Sequence, residues 1–212
     1  MIYNESISKS IANDLIRIEA VKISVGSPFT WTSGIKSPVY CDNRITLSDV
    51  DVRNNIKNSL VNCITEKFPE VNCIAGVATA GIPQGAIISD SMNLPFVYVR
   101  NKPKGHGLGN QIEGRIKPGQ KVVVVEDLVS TGKSSLEAVQ ALRDVGCEVI
   151  GMVAIFTYGF DKTYQIFEEM NVPKACSIAE RKAFVLASSI VLPVPETVSV
   201  TVFSSCAFTT CS

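Results

Sequence analysis

The chain has 212 residues, with 20 Lys and Arg against 20 Asp and Glu, a single His and seven Cys. That length suits one domain with a full hydrophobic core, and a formal charge of zero argues against a nucleic-acid-binding face, which carries a basic excess. The start, MIYNESISKSIANDL, lacks a basic n-region and an apolar core, and no run of about 18 apolar residues occurs, so neither a signal peptide nor a membrane span is expected.

The cysteines are odd in number, scattered and without CxxC spacing. They read as reduced structural thiols of a soluble, cytoplasmic protein rather than as a zinc site or a disulfide framework.

In chain order, Ile7, Ile11, Leu15 and Ile18 form one apolar stripe and predict a helix ending near Val21. Residues 26–44, GSPFTWTSGIKSPVYCDNR, mix turn formers with short aromatic and β-branched runs and predict two short strands around a turn. Val52, Ile56, Leu60, Ile64 and Phe68 line a second helix that stops before Pro69. The strand VNCIAGV (71–77) follows, then the loop ATAG and a helix through Ile82, Ala86 and Ile87. Another strand, LPFVYVR (94–100), leads into residues 101–120, which are polar, glycine-rich and aperiodic and predict a long mobile loop. KVVVVED (121–127) is a β-branched run of the kind buried on both faces of a parallel sheet. Leu136, Val139, Leu142 and Val145 give the next helix an apolar face, Gly146 is its stop, and CEVIGMVAIFTY (147–158) is a further strand.

Strands and helices alternating at roughly 25–30 residues imply right-handed βαβ units in a parallel α/β sheet. Ligands of such sheets bind beyond the carboxyl ends of the strands. The loops at ATAG, RNKPKGHG and EDLVSTGKSS all follow such ends. From about Ser188 the chain is rich in Ser, Thr, Val and Cys, with Glu196 its one charge. A β-hairpin on the body and an altered reading frame both fit that tail.

VVVVEDLVSTGKSS (122–135) ends like a triphosphate-binding loop. Such a loop needs a glycine where Asp127 stands, and Glu126 precedes it. Two carboxylates there repel a triphosphate. A smaller anion fits Ser130, Thr131, Gly132, Lys133, Ser134 and Ser135, which open a helix whose free N–H groups and dipole hold a phosphate. Glu126 and Asp127 are then left to accept from vicinal sugar hydroxyls, which makes this a ribose-phosphate site. A capped helix after a buried strand is the plainer alternative.

Hydrophobic strand, acid pair and small-residue phosphate loop, in that order, resemble the 5-phosphoribosyl 1-diphosphate motif of the type I phosphoribosyltransferases. RNKPKGHG followed by NQIEG resembles the catalytic loop of the orotate phosphoribosyltransferases, and FTWTSGIKSPVYCDNR their N-terminal hood. The likeness runs from about Phe29 to Tyr158. Some relatives have Lys where Thr32 stands, Tyr-Lys where Thr79 and Ala80 stand, and Lys where Asn101 stands.

The resemblance implies a type I phosphoribosyltransferase fold with a helix and hood over 1–45, an α/β core over 46–180 and an atypical tail over 181–212. Arg100, Lys104 and His106 would be catalytic, with Lys102 a further phosphate contact. The phosphoribosyl donor would be held by these four together with Glu126, Asp127, Leu128, Val129, Ser130, Thr131, Gly132, Lys133, Ser134, Thr79, Ala80 and Gly81. Orotate would meet Ser33, Gly34, Lys36, Ser130 and Tyr158. Mg²⁺ would be held mainly by substrate oxygens, and a homodimer would share its active sites. A purine-type transferase and a non-catalytic sensor of the same sugar phosphate are the rival readings.

Overall fold

Five parallel strands and one antiparallel edge strand make the central sheet of the computed structural model, which describes residues 2–24, 26–30, 34, 36–101, 111–172 and 175–180. In chain order the elements are α1 (Glu5–Arg17), β1 (Val21–Ile23), β2 (Phe29–Thr30), β3 (Lys36–Ser37), β4 (Val39–Cys41), a 3-10 turn (Asn43–Leu47), α2 (Val50–Lys67) and β5 (Cys73–Val77). They continue with α3 (Gly81–Met92), β6 (Phe96–Val99), β7 (Ile112–Glu113), β8 (Lys121–Val129), α4 (Lys133–Asp144), β9 (Glu148–Thr157), α5 (Asp161–Glu169) and β10 (Ala175–Glu180). The sheet order is β10-β9-β8-β5-β6-β7, with only β6 and β7 antiparallel. Among the described residues no helix is long and apolar enough to cross a membrane.

Val122, Val123, Val124 and Val125 are fully buried because helices cover both faces of the sheet. Val123 and Val125 pack with Ile11, Leu15, Ile56, Leu60 and Ile64 of α1 and α2. Val122 and Val124 pack with Val139 and Leu142 of α4 and Phe167 of α5. α1 is capped by Asn4, whose side chain accepts from the Ser6 and Ile7 amides, and α2 by Asp49, which accepts from Val52 at 3.0 Å.

Several sequence expectations need correction. The first helix stops at Arg17, and Val21 already belongs to β1, which pairs antiparallel with β4. The hood therefore has two small ladders, β1 with β4 and β2 with β3. The buried face of α3 is Gly81, Gln84, Gly85, Ile88 and Ser89 rather than Ile82, Ala86 and Ile87. A Cβ on Gly85 would stand 2.7 Å from the Phe96 ring and 3.3 Å from Gly76 Cα, so the helix packs by its glycines. Within 101–120, β7 closes a two-residue ladder on β6. Val145 is exposed and Leu136 only half-buried, and the packed face of α4 runs through Ser135, Ala138, Val139, Ala141 and Leu142.

Two elements lack a sequence forecast. α5 packs Phe167 onto the sheet, and β10 extends the sheet beyond β9 while bonding the N-terminus through Tyr3 N–H to Ser177 O at 3.0 Å. Residues 181–212, including both readings of the tail, lie outside the described residues. Cys41 is half-buried and Cys63, Cys73, Cys147 and Cys176 are buried, all as free thiols. Burial pushes the Cys41, Cys73 and Cys147 thiols up and keeps them protonated.

Candidate active site

The carboxyl ends of β5, β6 and β8 lie side by side in the sheet and carry the three loops singled out above. After β5, Ala78, Thr79 and Ala80 lead into α3, and after β8, Ser130, Thr131 and Gly132 lead into α4. The residues capping these helices, Ala80 and Gly132, offer no side-chain acceptor, so first-turn N–H groups are left for an anion. A Cβ on Gly81 would stand 2.6 Å from Val125 O. Its absence lets the start of α3 rest on the acid-bearing strand.

Gly132 has φ +77°, and a Cβ there would stand 2.6 Å from the Phe167 ring. Glycine is thus required twice over, by backbone and by space. Thr163 Oγ1 donates to Ser130 O at 2.7 Å, so α5 braces the loop from behind. Asn101, Leu128, Ser130, Thr131, Gly132, Lys133, Ser134, Ser135 and Glu137 line a cavity of about 290 Å³, the size of a small polar ligand's pocket. Val129 does not line this cavity, and its side chain is in the core. Lys133 is exposed and lies 3.9 Å from Glu137 one turn on.

Glu126 and Asp127 occupy the last part of β8. Strand alternation directs Glu126 to the α4 side, with Val122 and Val124, and Asp127 to the hood side, with Val123 and Val125. Glu126 is 4% exposed and accepts from Ser135 Oγ at 3.2 Å, Ser134 Oγ at 3.4 Å and the Asp127 amide at 3.2 Å. Burial, then the neighbouring Asp127 charge, holds its carboxyl well above the usual range. Burial raises Asp127 too, against hydrogen bonds from Glu126 and the backbone that favour its charge. The pair is reluctant to carry two negative charges. A ligand that donates hydroxyls and develops positive charge would relieve it.

On the β6 side, Arg100 is held at the base of the 101–111 excursion. Its amide donates to Gln111 O at 2.9 Å, Gln111 Nε2 donates back to Arg100 O at 2.8 Å, and its guanidinium lies 3.4 Å from Glu113. Lys102, Lys104 and His106 lie outside the described residues, as do Thr32 and Ser33 of the hood. Gly34 has φ +82°, and Lys36 is exposed on β3. Tyr158 is 3% exposed, with its ring edge-on to Phe156 at 4.9 Å and stacked on Phe160 at 5.9 Å, so it stands as packing behind the hood and offers no open face.

Sequence reasoning assigned Ser135 to phosphate alone, whereas its hydroxyl turns to Glu126. It gave no role to Thr163, Phe167 or Asn43. Asn43, 1% exposed, donates from Nδ2 to Asp127 O at 2.7 Å. Nothing in its turn-rich stretch marks it in the sequence.

A phosphoribosyl transferase domain matches residues 50–186. Orotate phosphoribosyltransferases of Bacteroides thetaiotaomicron and Streptococcus agalactiae are 56% identical over 169 residues and 51% identical over 194 residues. The first match covers 80% of each chain, the second 88% of this chain and 93% of the relative. The crystal structure of the Aeropyrum pernix orotate phosphoribosyltransferase superposes with a TM-score of 0.75 at 30% identity, over 84% of this chain and 98% of that one. The fold agrees with these likenesses, and the chain belongs to the orotate phosphoribosyltransferase family.

Proposed function

We propose that this chain transfers the 5-phosphoribosyl group from 5-phosphoribosyl 1-diphosphate to orotate, giving orotidine 5′-monophosphate and diphosphate in pyrimidine nucleotide synthesis. The observation that carries the reading is the buried Glu126 and half-buried Asp127, side by side at the uncapped start of α4. The loop from Ser130 to Ser134 takes the 5-phosphate, and the acids accept from the ribose hydroxyls. The loop at Thr79, Ala80 and Gly81 meets the diphosphate through backbone N–H groups.

In the reaction a ring nitrogen of the base gives up its proton to solvent and bonds to C1 as the C1–O bond breaks, and the electron pair leaves on the diphosphate. Positive charge on the sugar, as in other glycosyl transfers, is favoured by Glu126 and Asp127. Arg100 with Lys102, Lys104 and His106 meets the negative charge gathering on the leaving group. Ser33, Gly34, Lys36 and Ser130 surround the base, with Tyr158 packed behind.

Mg²⁺ fits this donor set. Asp127 offers a hard oxygen beside the phosphate loop, and such an ion keeps most of its shell from water and substrate oxygens. Bound there, it would offset charge on the diphosphate. The working form is a cytoplasmic homodimer whose 101–111 segment serves the neighbouring site.

The test is loss of orotate absorbance with 5-phosphoribosyl 1-diphosphate and Mg²⁺. Turnover of a purine base instead, or no turnover with tight nucleic-acid binding, overturns the reading. Lys104→Ala should lower kcat far more than it weakens orotate binding, and equal losses would remove the segment from the transition state. Sedimentation of the purified chain as a monomer would overturn the dimer.

A further inference from the structure

The strand that carries the acids loses one neighbour just before Asp127. The β8 ladder with β5 ends at Val125, opposite Gly76. On the other flank the ladder with β9 runs on in register, from Glu126 opposite Ala154 to Val129 opposite Thr157, so the side left open is the one β5 has vacated. A backbone carbonyl in such a place needs a donor from elsewhere. It receives one from Asn43 Nδ2 at 2.7 Å, from a segment 84 positions earlier in the chain.

Asn43 is itself held by two neighbours, one of them braced in turn from α3. Cys41 Sγ donates to its Oδ1 at 3.2 Å, which fixes the amide with its N–H₂ toward Asp127. Thr46 Oγ1 donates to the Asn43 carbonyl at 2.6 Å, and Gln84 Nε2 of α3 donates to Thr46 Oγ1 at 3.2 Å. Asn43, Thr46 and Gln84 are all at most 2% exposed. A satisfied buried network of this kind is rigid and has one arrangement. It ties the hood and the helix after the diphosphate loop to the backbone of one acid.

We propose that Asn43 is a positioning residue for the ribose grip, holding the Asp127 backbone so that its carboxylate meets the sugar hydroxyls. This rests on reading Glu126 and Asp127 as ribose ligands. A role limited to satisfying a buried carbonyl would lower stability and leave the chemistry of folded enzyme intact.

The test compares wild type, Asn43→Leu, Thr46→Val and Asp127→Asn in the full chain. Thr46→Val disturbs the same buried segment without touching Asp127. Asn43→Leu is expected to lower kcat per folded enzyme by roughly 10- to 100-fold, as misplacement of about an ångström does elsewhere. The Kd for 5-phosphoribosyl 1-diphosphate should rise about threefold or more, and the KM for orotate should change less than about twofold. Thr46→Val removes one support of Asn43 but leaves its amide within reach of Asp127, so it should lose clearly less kcat than Asn43→Leu. In an Asp127→Asn background, Asn43→Leu should add almost nothing, because both changes remove one interaction.

The proposal is overturned if Asn43→Leu keeps wild-type kcat, if Thr46→Val loses as much, or if the Asn43 and Asp127 effects multiply. Should Asn43→Leu fail to melt cooperatively, Asn43→Ser, smaller and too short to reach Asp127, is held to the same expectations. A wild-type chain that binds 5-phosphoribosyl 1-diphosphate but does not consume orotate sinks the functional reading instead. The binding comparison then still decides the role of Asn43.

Discussion

Ser135 Oγ lies 3.2 Å from Glu126 Oε2, which joins the first turn of α4 to the acid pair. On the proposed function, the turn that would present amides to the phosphate also holds a carboxylate proposed for the sugar. One support would then serve both groups, so a shift of α4 would displace both.

Removing the Glu126 charge should stabilise the free protein. Its folded pKa lies above the unfolded value near 4.5. Between those two values the native state binds more protons, so stability falls as pH rises through that window and stays lower above it. Glu126→Gln should therefore melt higher than wild type at pH 8, by about 2–4 °C for each kcal/mol gained, with the difference shrinking toward pH 4. Its kcat should fall by about 10²-fold, the loss expected when a preorganised electrostatic group is removed. A lower melting temperature at pH 8 would contradict the strain assigned to the pair.

Thr163→Val keeps shape and removes the donor to Ser130 O. Leaving that carbonyl unmet should cost about 1–3 kcal/mol. The loosened loop should bind the 5-phosphate less well. KM for 5-phosphoribosyl 1-diphosphate should rise several-fold with kcat nearly unchanged, by steady-state kinetics, and a fall confined to kcat would place Thr163 elsewhere in the cycle.

Gly132→Ala meets two obstacles, φ +77° and the Phe167 ring at 2.6 Å. Left-handed backbone costs a residue with a Cβ about 1–2 kcal/mol, and overpacking about 1–3 kcal/mol more. Pairing it with Phe167→Leu should recover the packing part only. Denaturant unfolding of the four proteins gives the coupling, and strictly additive losses would show that the ring yields freely.

Ile178 is fully buried on β10, whose residues hold the N-terminus through Ser177. Ile178→Ala should cost about 2–5 kcal/mol by urea unfolding, as for other core truncations. A chain ending before residue 175 should not fold cooperatively, because β9 and α1 would lose their covering strand.

Long elements were legible because burial on both faces leaves a dense β-branched run, as in Val122 to Val125, and because α2 repeats its apolar residues every turn. The packed face of α3 was not legible because glycines pack without counting as apolar. β1, β4 and β7 escaped because two or three residues carry no period, and β10, with CSIAE at its end, mixes small and polar positions. Of the site, the acid pair and phosphate loop were readable from local order alone. Asn43, Ser135 and Thr163 act across distances of 84, 9 and 33 positions, and nothing local in a sequence announces a hydrogen bond of that span.

The sheet order also divides the work by timescale. β8 is flanked by β5 and β9, whereas β7 is the outermost strand and pairs over two residues. In hydrogen–deuterium exchange the amides of Val123 to Val125 should open only with global unfolding, and those of Ile112 and Glu113 through small local excursions. Arg100 is tethered at that yielding margin, by Gln111 and Glu113, while the two acids ride on the slowest-exchanging strand. If the two acids hold the sugar as proposed, they do so from the part of the sheet that exchanges last, and Arg100 from the part that exchanges first.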